Sequence, residues 1–180
     1  MRIIGRERSY VTTTLPVVAR RSNRNVSSLS VTTGRATDPV VSIDASRGQV
    51  VDRLTLPSEY ASLRIVAVTR ISPQNWISAD DLGSLYWIRR DEDGVSVKGF
   101  ARVGSVSLIL STPDPRRVAV VSQTGIVSII DLDHRVVVSR FETLEEPIAA
   151  AGIASDGSLW VNGMSGTLAT FRPGRNSSSN

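Results

Sequence analysis

The chain has 180 residues, 41% of them hydrophobic and 21% charged, with a formal net charge of +4. That is material for one domain with its own core, and a mean hydropathy of −0.01 excludes a disordered acidic or basic chain. No apolar run approaches the ~20 residues of a membrane span, the absence of cysteine excludes disulfides and thiolate sites, and a single histidine leaves little for imidazole metal centres or a Ser-His-Asp site.

Charge divides the chain. Residues 1–37 carry seven arginines against Glu7, a net +6, while the remainder nets −2. The first 24 residues therefore read as a basic arm. Its arginines Arg20, Arg21 and Arg24 are candidates for binding an acidic protein face or the phosphates of RNA or DNA. The same stretch fits a solvated terminus, an Arg/Ser-rich organelle presequence, or a closing β-strand.

Beyond the arm, short runs rich in Val, Ile and Thr alternate with Gly, Pro, Asp and Asn, and no segment of 12 residues keeps a helical period. The best helical candidate, residues 144–151, contains Pro147. The class is all-β.

Three segments align without gaps on a glycine: Asn75–Ile88, Arg117–Ile130 and Ser158–Phe171, centred on Gly83, Gly125 and Gly166, which lie 42 and 41 residues apart. Each reads as strand, three-residue turn closed by glycine, strand. Apolar runs precede them at 63–68, 106–110 and 148–153, and others follow at 95–100 and 136–141. A fainter copy covers Val41–Asp44 and Gln49–Leu54, with residues 25–32 as its second strand and 10–19 as its first. The expected units span about 10–57, 60–101, 103–143 and 146–172, the last without an outer strand, and 173–180 reads as a disordered tail.

A four-stranded unit of about 40–45 residues is the signature of a propeller blade. The sequence resembles degenerate WD40 repeats over about residues 10–172. Ile130-Asp131 stands in the Trp-Asp slot, with Ile88-Arg89, Phe171-Arg172 and Ile43-Asp44 in the corresponding places. No Gly-His pair opens a unit, and no slot holds Trp-Asp, so the hydrogen-bond network of well-formed WD40 blades is not expected. The resemblance implies a β-propeller-like fold of about four blades of four antiparallel strands. The ring closes on itself, or is completed by a protein partner or a second copy of the chain, or the chain is part of a longer propeller. An antiparallel β-sandwich is the alternative.

No residue pattern points to catalysis, a metal or a cofactor. Asp91-Glu92-Asp93-Gly94 lacks the later acid of a calcium loop and reads as turn chemistry, as does His134. The expected role is a non-catalytic protein-protein interaction or scaffold module inside a larger assembly, in the cytoplasm or nucleus. The alternative is association with RNA or DNA through the arm. Besides the arm, the expected contacts are Trp76, which begins a strand and so has the best chance of reaching a rim, and the strand-end cations Arg89, Arg90, Arg116 and Arg117. Trp and Arg are frequent hot-spot types.

Overall fold

The computed structural model describes residues 28–33, 39–44 and 46–172. The arm, including Arg20, Arg21 and Arg24, the expected strand at 10–19, and the tail all lie outside them.

Among the described residues, fourteen strands form four antiparallel sheets. Sheet 1 holds β1 (Ser28–Thr32), β2 (Val40–Asp44) and β3 (Gln49–Leu54). Sheet 2 holds β4 (Ile65–Ser72), β5 (Asn75–Asp80), β6 (Ser84–Asp91) and β7 (Gly94–Arg102). Sheet 3 holds β8 (Val106–Ser111), β9 (Arg117–Ser122), β10 (Ile126–Asp131) and β11 (Val136–Glu142). Sheet 4 holds β12 (Ile148–Ile153), β13 (Leu159–Gly163) and β14 (Leu168–Phe171). Each sheet is a meander in which sequential strands are neighbours. The only helical element among the described residues is a 3-10 turn at Ser58–Tyr60.

The sheets stack in series. Val40 and Leu54 of sheet 1 pack on Val68, Trp76 and Ile88 of sheet 2. The opposite face of sheet 2, with Ala67, Ile77, Ala79 and Leu85, packs on Val106, Ile109, Val118, Val120 and Ile130 of sheet 3. Leu108, Leu110, Ala119, Val121 and Val127 then face Ile148, Ala151, Leu159 and Val161 of sheet 4. Strand β4 runs against β8, and β8 against β12, so the first strands of successive sheets share one side of the molecule. A row of sheets whose first strands gather on one side is propeller architecture, not the two facing layers of a sandwich. No sheet closes into a ring among the described residues.

Position within a sheet explains the sequence pattern. Strands β5 and β9 are covered on both faces, and five of the six residues in each are buried, so they read as unbroken apolar runs rather than alternating ones. Outermost β11 is exposed along its first five residues.

The aligned glycines prove necessary for two separate reasons. Gly83, Gly125 and Gly166 have φ of +79°, +83° and +92°, where a side chain is strained. At Gly83 a Cβ would also sit 1.7 Å from the Gly104 carbonyl oxygen, and at Gly125 2.2 Å from that of Leu144, whereas at Gly166 it would meet nothing within 4 Å. The carbonyls of Gly83 and Gly125 accept N–H bonds from Val103 (3.0 Å) and Thr143 (2.9 Å), which pins the linker to the next sheet onto each hairpin.

Candidate functional site

The strand-end cations lie at one end of the stack. Arg89 lies near the end of β6 opposite Asn75, and Arg116 and Arg117 close the β8–β9 turn. These positions correspond, because the Arg90 N–H donates to Gln74 O as the Leu132 N–H donates to Arg116 O. Thr69 Oγ1 and Ser111 Oγ, 2.9 Å apart, tie β4 to β8 near the same ends.

Three of these side chains are open to solvent: Arg89 is 59% exposed, Arg116 69% and Arg117 51%. Arg116 and Arg117 share Asp114, at 3.4 and 3.6 Å, and Arg89 lies 3.7 Å from Asp91. Such exposed pairs add little stability, so the guanidinium groups exchange partners at small cost. The Asp114 carboxyl is held below the ordinary aspartate range, chiefly because the Arg116 backbone N–H donates to it at 3.0 Å, against a smaller opposing effect of burial. It remains ionised and holds the two arginines in a fixed turn.

Two expected contacts are engaged inside the molecule. Trp76 is 1% exposed, not a rim residue. It is the second residue of β5, near the strand start as expected, but the Arg70 and Arg90 guanidinium carbons lie 5.3 and 5.6 Å from its ring centroid, and residues of sheet 1 pack against it. Arg90 is not a free surface fork. Its Nη1 donates to both Asp52 oxygens, at 2.9 and 2.7 Å, and its Nη2 to the Arg53 carbonyl at 2.7 Å. The fork clasps β6 to β3 across the boundary between sheets.

One rim residue has no counterpart among the expected contacts. Arg135, in the turn before β11, has φ of +60° and places its guanidinium carbon 6.0 Å from the Trp87 ring centroid. The corresponding turn of sheet 1 uses Gly48, at φ +64°. The available signal was an arginine standing where a sister turn carries glycine.

The acids cap turns. Asp131, in the slot where the resemblance places its aspartate, accepts the His134 backbone N–H at 2.9 Å, with the His134 ring nitrogen at 3.1 Å. That backbone bond is the main reason its carboxyl is held below the usual range. Asp44 does the same with Ser46, accepting its N–H at 2.8 Å and its hydroxyl at 2.6 Å. Asp80 accepts the Leu82 and Ser84 N–H groups and the Tyr86 hydroxyl, and Tyr86 is pushed above its ordinary value by burial and then by this bond. Among the described residues, no group of three or more His, Asp or Glu side chains is placed to hold a metal ion. No helix there is long and apolar enough to cross a membrane.

No family model matches the sequence, and no curated protein matches it. Among solved structures, the chain is similar to the β-propeller domain of Myceliophteria thermophila Cps50 (Swd1), with a TM-score of 0.61 at 12% sequence identity. The match covers 85% of this chain and 53% of that one, so the chain spans about half the length of the solved propeller. Stacked antiparallel meanders of three or four strands, glycine-closed hairpins and this likeness agree: the chain is an all-β protein with the fold of a β-propeller.

Proposed function

We propose that the chain is a non-catalytic interaction module of a larger protein assembly, docking an acidic protein surface on the rim formed by Arg89, Arg116, Arg117 and Arg135. The observation that carries this reading is the set of exposed guanidinium groups at strand ends and turns on one end of the stack of sheets. Arginine forks lose little freedom on pairing with carboxylates, and a rigid platform lowers the ordering cost of binding. The likeness to a β-propeller domain supports a scaffold role.

The test is the combined variant Arg89→Glu, Arg116→Glu and Arg117→Glu, compared with the unaltered protein by co-purification from its native source. The reading expects an associated protein to be lost with the variant and released from the unaltered chain by salt, while the circular dichroism of both stays the same. Identical associated proteins with both would refute it.

A second reading rests on the +6 charge of residues 1–37: binding of RNA or DNA through Arg20, Arg21 and Arg24. It requires retardation of generic RNA or DNA at low salt that weakens steeply as salt rises. No retardation at low salt would dismiss it.

A further inference from the structure

The outward face of sheet 4 breaks a rule that the two preceding sheets obey. In sheet 2, Thr69, Ile77 and Trp87 form one cross-strand row on the face turned to sheet 3, and Ala67, Ala79 and Leu85 form the next. In sheet 3 the corresponding rows are Leu110, Ala119, Ile129 and Leu108, Val121, Val127. In sheet 4 they are Gly152, Trp160, Thr170 and Ala150, Asn162, Leu168. Ile77, Leu85, Ala119 and Val127 are all 0% exposed because the next sheet covers them, yet at the same places Trp160 is 37% and Leu168 66% exposed. The Trp160 ring lies across Gly152, where a Cβ would come within 2.5 Å of it, so ring and glycine form a flat apolar plate. The surface is that of a sheet prepared for a successor.

We propose that this face is covered by a second copy of the chain, so that two rows of four sheets complete one ring; the inference rests on the interaction-module reading and names one of its partners. Two observations and a symmetry argument favour a second copy. The matched region is 53% of the solved propeller, so the unmatched portion of such a ring is about the size of the matched one. At the other end of the row, Val50, 47% exposed, lies beside half-buried Ile43 on the outward face of sheet 1, where Val41 is already buried. A two-fold axis sets sheet 4 of each copy on sheet 1 of the other, which makes both junctions at once and leaves no free end. About eight sheets lies within the range in which propellers close.

Light scattering after size exclusion of the full chain, from about 1 to about 100 µM, tests this directly. The expected mass is about 39 kDa, twice the 19.4 kDa of one chain. Leu168→Asp, and separately Thr170→Arg, are expected to weaken dimerisation at least about 100-fold and return 19.4 kDa with an unchanged sheet spectrum. Leu82→Asp, at a turn residue 65% exposed, is the control and keeps the dimer. A monomer throughout the range, a dimer that survives both sheet-4 variants, or an open series of larger species would each overturn the proposal. None of these outcomes bears on the arginine rim, whose charge-reversal test uses a different surface.

Discussion

The boundary between sheets 2 and 3 and the boundary between sheets 1 and 2 perform the same task with different chemistry. The first is an aliphatic interlock of Ala67, Ile77, Ala79 and Leu85 against Val106, Ile109, Val118 and Ile130, nearly all fully buried. The second mixes Val40, Leu54 and Ile88 with a tryptophan between two guanidinium groups and an Arg–Asp clasp. It also contains polar atoms that are buried without a hydrogen-bond partner among the described residues: Ser30 Oγ, Ser78 Oγ and Trp76 Nε1. Sheets of one repeat family can thus be joined by shape alone, or by shape plus a directional polar lock that fixes register at some cost in desolvation.

Five substitutions sharpen this contrast. Leu85→Ala empties part of the aliphatic interlock at a fully buried site and is expected to cost about 3–4 kcal/mol, read as a lower denaturation midpoint at unchanged m-value. A cost below about 1 kcal/mol would mean that the boundary collapses to fill the space. Gly83→Ala meets both the φ penalty and the Gly104 carbonyl, with an expected loss of about 3 kcal/mol, against about 1–2 kcal/mol for Gly166→Ala, where only the φ penalty acts. Equal losses at the two glycines would discard the linker contact as a cause.

The polar boundary should respond more weakly. Arg90→Met keeps the stem over Trp76 but removes the fork from Asp52 and Arg53. Both side chains of the pair are about one-third exposed (33% and 32%), so the expected loss is about 1 kcal/mol after solvent screening. A loss beyond about 3 kcal/mol would place the strength of that boundary in the clasp. Ser78→Ala deletes a buried hydroxyl that has no partner, with an expected gain of about 0.5 kcal/mol in thermal or denaturant unfolding. Destabilisation would reveal a bound water at Ser78.

What was legible in the sequence was local. A hairpin closed by Gly83 or Gly125 needs positive φ within a few residues, so its glycine recurs at a fixed period, and the strand class follows from β-branched runs between such turns. The turn role read for His134 is local in the same sense, since a carboxylate such as Asp131 three residues before an N–H caps it regardless of distant structure. The fates of Trp76 and Arg90 were not legible. A tryptophan at the start of a strand has the same local pattern on a rim or under a neighbouring sheet, and the Arg90–Asp52 pair joins residues 38 apart in different sheets. The unusual backbone of Arg135 was visible only by comparison with a turn in which glycine does that work.

Sequence alone therefore determined the β class, the hairpin period and the four-unit organisation, because each depends on backbone preferences and side-chain alternation over a few residues. Tertiary structure decided which cations face solvent and which lock sheets together, and which apolar rows are covered. Those outcomes depend on how sheets dozens of residues apart meet across their faces, a geometry that no short window of sequence contains.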